Sequence, residues 1–402
     1  MKIKASIAVL CLAITSANSA YAAPKAVPVQ VGSILTTPVG IENFYQLGKN
    51  SIFYSNINAN INGKSSDISL VANDLTGVSV WQRTIDSGAD EIASALTSDA
   101  QGNIWLAGSA ALPLTPETPT STTGIDNPDG VTSENGATLR NDMTQLALWK
   151  ISPAGELLAT YLSPQISIPV VASISINSTG ISIVGDLEGK PFFATASLQG
   201  VFGKQINIGT SKTILNSVVR QSDGTSSIFG SSTETLGGKR VAGKRDGVLI
   251  KISKSAAVTN VVRSSANGAS RGWTSADTSL ALAGYVVAGK KIEVAITKFT
   301  TAFAPTWTAR FVGSGDAMVT SGGGNTYLAF TSTAPVAGVT GWKPSAPSLL
   351  LLTFDAKGQI KAAQSFPGLL RPLHLQVSRD RGVVGLASAA NGSVSIFTLI
   401  SR

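Results

Sequence analysis

The chain has 402 residues, a formal net charge of +8 and a hydrophobic fraction of 43%. This apolar content is ample for a buried core, which excludes an intrinsically disordered chain. The positive charge is not concentrated in dense basic stripes, so it gives little support to nucleic-acid binding and fits anionic glycans or cell-wall polymers equally well. Frequent glycine with only 13% charged residues indicates many short buried strands joined by tight turns.

The first predicted element is a targeting segment. Two lysines precede an apolar stretch, residues 5–14, that is too short to span a bilayer, and Ala20-Tyr21-Ala22 forms a small-x-small cleavage site. We therefore predict a signal peptide over residues 1–22 and a secreted or extracytoplasmic mature chain, residues 23–402. The single cysteine, Cys11, lies in the signal peptide, so we expect no disulfide or cysteine-ligated metal in the mature chain.

A short sequence motif then recurs along the chain: an alternating hydrophobic run, a Gly- or Asn-centred turn, and a second run ending in small residues. Its best copy covers residues 92–108, with the turn at Asp99-Ala100-Gln101-Gly102-Asn103. We find seven copies, and a second hairpin follows each of the first six. A four-stranded unit of about 45 residues plus loops is the size of one propeller blade. The repeats predict an all-β fold, a single seven-bladed β-propeller of four-stranded antiparallel blades.

The two ends of the mature chain complement each other. The last unit stops after its third run, residues 394–400, while an apolar run over residues 27–35 stands before the first unit without a partner. Pairing these runs would close the last blade with N- and C-terminal strands and remove two exposed sheet edges. The alternative is an open β-solenoid, whose coils are usually shorter and need no such complementarity.

Three segments carry a family resemblance. The turn at residues 99–103, the Ser222-Asp223-Gly224 turn, and Gly237-Gly238 leading to Asp246 resemble the secreted bacterial β-propeller-repeat proteins. In that group an acidic-x-x-Gly-Asn turn joins the inner strands and a Gly-Gly-x-Asp-aromatic segment opens the third. This chain departs from the pattern at Asp277, which no turn glycine follows. The resemblance implies a propeller found at cell surfaces and carries over no catalytic residue.

Catalytic motifs are not evident in the sequence. The sole histidine, His374, lies in an apolar run, which is typical of a structural histidine, and one histidine excludes a multi-histidine zinc centre. Arg271, Arg371 and Asp316 do not make up the acidic boxes and arginine cluster that sialidase-like chemistry requires. We predict no cofactor, no metal and no enzymatic activity.

Carboxylates keep one alternative open, a carbohydrate-active hydrolase or lyase. Two acids at glycosidase separation can come together from either of two loops. These acids are Asp86, Asp90 and Glu91 in one loop, and Asp126, Asp129 and Glu134 in the other. The second set is also a weak calcium alternative, because Pro128 breaks the alternating spacing of donors that a calcium loop needs. A purely structural envelope component is a third reading.

Long insertions are predicted on one face of the ring. They cover residues 109–143, 231–245 and 332–347, and each joins the second and third strands of a unit. The candidate ligand-binding residues are Lys239, Arg240, Lys244, Arg245, Trp342 and Lys343 on these loops, with Trp273 on an innermost strand. We predict a non-enzymatic binding or scaffold module whose partner is an anionic glycan, a cell-wall polymer or a surface protein, with no nucleic acid. The alternative is that insertions accumulate where they cost little stability.

Overall fold

The computed structural model describes residues 26–58, 66–112, 142–265 and 267–399. Within these ranges the chain forms 29 β-strands and no helix, so no helix there is long and apolar enough to cross a membrane. The predicted signal peptide with Cys11 lies outside the described residues, as do the loop acids Asp126, Asp129 and Glu134. An all-β propeller is confirmed for the described part of the chain.

The strands follow one another along the chain with short connections. In chain order they are β1 (Val27–Val31), β2 (Ser33–Thr36), β3 (Asn43–Leu47), β4 (Asn50–Asn58), β5 (Ser66–Asn73), β6 (Ser79–Ile85), β7 (Glu91–Ser98), β8 (Ile104–Ala110), β9 (Gln145–Ile151), β10 (Leu157–Pro164), β11 (Pro169–Asn177), β12 (Gly180–Leu187), β13 (Lys190–Ala196), β14 (Ile206–Asn207), β15 (Thr213–Arg220), β16 (Ser226–Ser232), β17 (Asp246–Ile252), β18 (Val258–Ser264), β19 (Ser270–Ala276), β20 (Ala281–Ala288), β21 (Lys291–Phe299), β22 (Pro305–Gly322), β23 (Asn325–Ser332), β24 (Val339–Thr340), β25 (Ser348–Phe354), β26 (Ile360–Phe366), β27 (Leu369–Ser378), β28 (Gly382–Ala389) and β29 (Val394–Thr398).

The described strands form five four-stranded blades and one larger sheet. The blades have the orders β3-β4-β5-β6, β10-β9-β8-β7, β11-β12-β13-β14, β15-β16-β17-β18 and β2-β29-β28-β27, and the larger sheet has the order β19-β20-β21-β22-β23-β25-β26-β1-β24. The prediction of seven four-stranded blades is therefore wrong: the structure has five.

One long strand accounts for this difference. β22 is 18 residues long; its first half pairs with β21 and its second half pairs with β23. The pairing shifts between Gly313 and Ala317, and Gly315 in that interval has a φ of 99°. Glycine tolerates this backbone at little cost, so the strand bends without ending. Strands expected in two separate blades therefore belong to one continuous nine-stranded sheet.

The two ends of the chain meet in the blade that contains β2 and β29. Ser33 pairs with Thr398 and Thr36 pairs with Ser395 in an antiparallel ladder. Thr37 adds a side-chain bond, donating from Oγ1 to the carbonyl oxygen of Val394 over 2.7 Å. This ladder closes the ring and removes two free strand edges.

The N-terminal run expected over residues 27–35 is divided at Gly32. β1 before it pairs in parallel with β26, with Val29 opposite Ala363, and only β2 after it reaches β29. A Cβ added at Gly32 would lie 2.1 Å from the ring of Phe366. Phe366 is fully buried and its ring centroid lies 4.7 Å from that of Phe397. The chain crosses from one sheet to the next over this aromatic pair, so a single straight strand does not form.

The second run of the repeated motif ends in small residues because a larger side chain would not fit there. Innermost strands bulge toward their neighbours in the sheet, and glycines on the second strands lie against these bulges. A Cβ at Gly108 would lie 1.9 Å from the carbonyl oxygen of Ile92, and one at Gly230 equally close to that of Ile214. Any larger residue at either position forces the inner strand to move.

The core lies between neighbouring sheets. Trp105 and Leu148 of one blade pack with Ile183 and Phe192 of the next in a single buried cluster. Trp105 also donates from Nε1 to Asp99 Oδ2 over 3.0 Å, which ties the repeated turn to the core beneath it. The shared cluster shows that neighbouring blades are held face to face by burial of apolar side chains.

Side chains bridge the seams between neighbouring blades. At the closing seam, Gln376 Nε2 donates to the carbonyl oxygen of Gln46 over 3.0 Å, while Gln376 Oε1 accepts from the Gln46 amide at the same distance. Asn56 makes the same reciprocal pair with the backbone of Ala93, at 2.9 Å for each bond. These amide groups satisfy backbone polar atoms that no sheet ladder serves.

Deleting residues 393–402 tests the closure. The deletion removes β29, so we expect the free energy of unfolding to fall by several kcal/mol as a strand edge and the Phe366 ring become exposed. Thermal unfolding of full-length and truncated protein measures the effect. A truncated form that melts within about 2 °C of the full chain would contradict the closure.

Candidate functional site

Two long described loops leave the ring on the same face. Residues 233–245 join β16 to β17, and residues 333–347 join β23 to β25. Both connect second and third strands, and antiparallel order places every such connection at the same end of its sheet. We call this end of the ring the loop-rich face. The predicted insertion at 109–143 starts from the corresponding position, but most of it lies outside the described residues.

The loop after β16 begins with a tight reversal. Gly237 and Gly238 have φ values of 55° and 73°, and the backbones of Leu236 and Lys239 exchange two hydrogen bonds of 3.1 and 3.0 Å across them. Leu236 is buried in the core of the blade, in the same cluster as Val261. The tip of the loop is thus fixed to the scaffold by an apolar anchor.

A buried acid fixes the second half of the loop. Asp246, fully buried at the start of β17, accepts hydrogen bonds of 2.9 Å from the backbone amides of Ala242 and Gly243. Arg263 Nη1 lies 3.5 Å from the same carboxylate, and Arg263 Nε donates to the carbonyl oxygen of Lys239 over 3.0 Å. A buried charge is stable only when it is paired and hydrogen-bonded, as it is here.

Glu234 fastens the loop to the preceding connection. Its carboxylate accepts from the Thr210 amide at 2.7 Å and from Thr213 Oγ1 at 2.6 Å. Burial acts to raise the pKa of Glu234, but the hydrogen bonds from Thr213 and Thr210 outweigh it and hold that pKa below its ordinary value. Glu234 is thus ionised and turned toward two threonines.

The remaining side chains of residues 239–245, which we call the basic loop, are displayed outward. Lys239, Arg240 and Lys244 are exposed, and within the described ranges none of them forms an ion pair with a carboxylate. The Lys244 amide donates to the carbonyl oxygen of Ala269 over 2.8 Å, so the end of the loop is held by the next sheet as well. Arg245 is half-buried and donates from Nη1 to Ser231 Oγ over 3.1 Å. The loop therefore carries three exposed cations that have no carboxylate partner among the described residues, on a backbone that is held in place.

The tryptophan candidates lie on the predicted elements, Trp342 on the loop after β23 and Trp273 on β19, but both side chains are buried. Trp342 is only 8% exposed, belongs to a buried cluster against which Val27 and Val29 of β1 pack, and donates from Nε1 to Ser332 Oγ over 2.9 Å. Trp273 is fully buried, edge-on to Phe299 with 5.7 Å between ring centroids. Neither ring is exposed enough to stack on a ligand. Lys343 beside Trp342 is exposed, as predicted.

A central cavity of about 400 Å³ runs between the innermost strands. Its lining is rich in small hydroxyl side chains, among them Ser173, Ser175 and Ser217. Ser175 Oγ accepts a hydrogen bond of 2.9 Å from the Arg220 amide, so this hydroxyl bonds to the backbone of the neighbouring innermost strand. The lining includes one carboxylate, Asp277, which accepts from the backbone amides of its own turn.

The sialidase-type candidates separate into two places. Arg371 Nε lies 3.2 Å from Asp316 Oδ1, and this largely exposed pair lines a cavity of about 340 Å³ on the loop-rich face. Arg271 is instead 6% exposed, in the seam between β17 and β19. The sequence prediction that the three do not form one set agrees with this placement.

The carboxylates of the connector between β6 and β7 are mostly enclosed. Asp90 and Glu91 are 3% and 1% exposed, whereas Asp86 is exposed and accepts from the Gly88 amide. Burial raises the pKa of Glu91 to about 7, against the hydrogen bonds from Ser87 and with smaller contributions from the nearby acids. A carboxyl group this enclosed is not presented to a polymeric substrate. In the described ranges no three His, Cys, Asp or Glu side chains cluster as a metal site would need.

His374 lies at the closing seam. Its ring is edge-on to Phe44, with 5.2 Å between centroids. Burial lowers the pKa of His374 to about 4, although a hydrogen bond with Gln376 acts in the opposite direction. The imidazole is therefore neutral at physiological pH, which fits the structural role predicted for it.

The sequence reasoning missed the residues that hold the basic loop. Asp246 was noticed only as part of a motif, and Arg263 and Glu234 were not singled out. The available signal was the position of Asp246 directly before the buried run 247–250, because an acid at a strand start beside core residues needs partners.

No protein-family model matches this chain, and no curated protein matches its sequence. The repeat family inferred from the motifs therefore stays a prediction.

Solved structures resemble the chain in fold. Putative 6-phosphogluconolactonases from Bacteroides uniformis and Bacteroides fragilis are each 11% identical to it, with TM-scores of 0.52 and 0.50. The matches cover 88% and 90% of this chain and 92% of each of those chains. The β-propeller domain of the Trilobed protease from Pyrococcus furiosus is 10% identical with a TM-score of 0.49, over 92% of this chain and 97% of that chain. At such identities the likeness shows the β-propeller fold alone.

Because the carboxyl group of Glu91 is enclosed, we expect the stability of the fold to depend on pH. Its pKa is about 7 in the folded chain and 4.5 in an unfolded one. The folded state therefore holds the proton more tightly, and stability decreases as pH rises from 4.5 to 7. Glu91→Gln removes this cost, so we expect it to melt several degrees higher than wild type at pH 8 and no higher at pH 4.5. Melting curves of both proteins across this range measure the difference, and parallel curves would contradict the assignment.

Proposed function

We propose that this chain is an extracytoplasmic, non-enzymatic binding module that holds an anionic polysaccharide or cell-wall polymer on the basic loop. The observation that carries the proposal is the fixed display of Lys239, Arg240 and Lys244. Their backbone is held by Asp246 and Arg263, and their charged groups have no carboxylate partner in the described part of the chain.

A fixed loop backbone favours binding because less conformational entropy is lost when the polymer docks. Ordering a flexible side chain or loop at an interface costs free energy, and a backbone that is already held avoids part of that cost. Of the acids nearest to the loop, Asp246 is paired with Arg263, and the one other acid, Glu234, is outnumbered by the three exposed cations of the loop. The loop-rich face therefore presents a local positive field to a ligand.

The chemistry of these groups defines the ligand class. Exposed ammonium and guanidinium groups attract repeated sulfate, phosphate or carboxylate groups through charge, without a pocket for one sugar. With Trp342 and Trp273 buried, ring stacking does not contribute. Extracytoplasmic placement is supported by the signal-peptide pattern of residues 1–22, and a cell-surface polymer is accessible from there.

The test replaces Lys239, Arg240 and Lys244 with Ser together and measures binding to heparin as the probe polyanion. We expect the triple variant to lose at least about tenfold in affinity while its melting temperature stays nearly unchanged, because exposed charges contribute little to stability. Wild-type binding should weaken steeply with salt, because the screening length falls from about 10 Å at 0.1 M to about 3 Å at 1 M.

A matched control removes the same amount of charge elsewhere. Lys254, Lys357 and Lys361 are exposed, and the first two lie in turns on the opposite face. Their triple replacement by Ser should leave heparin binding unchanged within about twofold. Equal losses in the two triple variants would show that net charge alone drives binding and would overturn the proposal, as would wild type that does not bind heparin.

A further inference from the structure

Arg271 presents an unusual situation inside the ring. Its residue exposure is 6%, and its Nε–H is buried without a hydrogen-bond acceptor in the described structure. The guanidinium group donates from Nη2 to Thr297 Oγ1 over 3.2 Å. Among the described residues no carboxylate lies within ion-pair distance of it. Buried charges in proteins are normally paired, because removing an ion from water is costly.

A second buried donor lies beside it. The Arg271 guanidinium carbon is 4.2 Å from the ring centroid of Trp273, and Trp273 Nε1 is also buried with no acceptor. Gly247 lies against this part of the indole, since a Cβ there would be 2.8 Å from Trp273 Nε1. Two adjacent side chains in one seam therefore keep unused N–H donors.

Further positive charge surrounds this seam. The Arg271 amide donates to the carbonyl oxygen of Arg245 over 2.8 Å, which places these two arginines on paired backbones. Burial, and then the proximity of Arg310, lower the pKa of Arg271 to about 10. The nearby acids are already engaged: Asp246, next to Gly247, pairs with Arg263, and Glu293 lies 2.7 Å from Lys291 and 3.9 Å from Arg310. Among the described residues, the seam thus has two N–H donors, Arg271 Nε and Trp273 Nε1, that lack an acceptor.

We propose that the seam between β17 and β19 binds a single oxyanion group, with Arg271 and the indole N–H of Trp273 as its donors. A guanidinium fork suits the oxygens of phosphate, sulfate or carboxylate, and charge-assisted bonds of this kind are strong in an enclosed environment. Such a ligand would supply the acceptors that Nε of Arg271 and Nε1 of Trp273 lack, and would compensate the buried charge.

This site is distinct from the basic loop and does not rest on the proposed function. Its donors are buried in the seam, whereas Lys239, Arg240 and Lys244 are exposed on the loop. The two proposals therefore fail separately: the triple loop variant should lose heparin binding and keep the oxyanion site, and an Arg271 variant should do the reverse.

The experiment titrates the full mature chain with inorganic phosphate, then with sulfate and acetate, at constant ionic strength set with chloride. We expect saturable binding of phosphate, detected by calorimetry, by a rise in melting temperature and by a change in tryptophan fluorescence. A stronger response to acetate than to phosphate and sulfate would identify a carboxylate as the natural group; the reverse order would identify a tetrahedral oxyanion.

Variants locate the effect. Arg271→Gln should abolish the phosphate response, and Arg271→Lys should weaken it about tenfold, because the charge remains while the fork is lost. Trp273→Phe keeps an aromatic ring in the core but removes the N–H together with part of the indole, so it should weaken phosphate binding severalfold, and its melting temperature checks that the variant still folds. Arg240→Ser is the surface control and should respond like wild type.

The anion-free melting temperature separates this role from a purely structural one. Arg271→Gln removes a buried charge without a counter-ion, so in chloride alone it should melt no lower than wild type. The proposal is overturned if wild type shows no saturable response to phosphate, sulfate or acetate. It is also overturned if Arg271→Gln and Trp273→Phe both respond as wild type does.

Discussion

Hydrogen bonds from side chains to backbone across the seams join neighbouring blades at their inner edges and add to the apolar packing between the sheets. Innermost strands of separate sheets do not share a ladder in the described structure, so their edges need other partners. Gln376 and Asn56 serve this need in the same way, each donating to and accepting from one residue of the neighbouring inner strand. The Gln376 pair lies at the seam where the chain ends meet. Everything displayed on the loop-rich face depends on this closed and rigid base.

The loop-rich face uses buried charge in two contrasting ways. Asp246 and Arg263 form a hydrogen-bonded ion pair. Removing their charges from water costs free energy, and their hydrogen bonds hold the basic loop in one conformation. Arg271 is equally buried but has no carboxylate partner among the described residues, and this imbalance points to a ligand. Arg263 thus stabilises the scaffold, whereas we propose that Arg271 binds an oxyanion ligand.

Features that depend on residues close together in the sequence could be predicted from it. The turn at residues 99–103, the alternating runs and the long loops at 231–245 and 332–347 all follow from periodicity and turn chemistry. The division of the N-terminal run at Gly32 did not, because its cause is the ring of Phe366, which comes from the other end of the chain. The unbroken course of β22 was also missed, since its glycine-containing middle reads as a connector. Trp342 lies in a loop of the sequence, and its place in a buried cluster formed by several strands, with β1 packed against that cluster, depends on distant parts of the chain.

The central claim is that fixed geometry, rather than net charge, makes the basic loop a binding surface. The most direct measurement is the heparin affinity of Asp246→Asn, which loosens the bonds to Ala242, Gly243 and Arg263 while making the chain more positive by one charge. The account predicts that affinity falls severalfold in the folded variant, because the three cations lose their fixed backbone. Affinity equal to or higher than that of wild type would show that net charge suffices and would contradict the account.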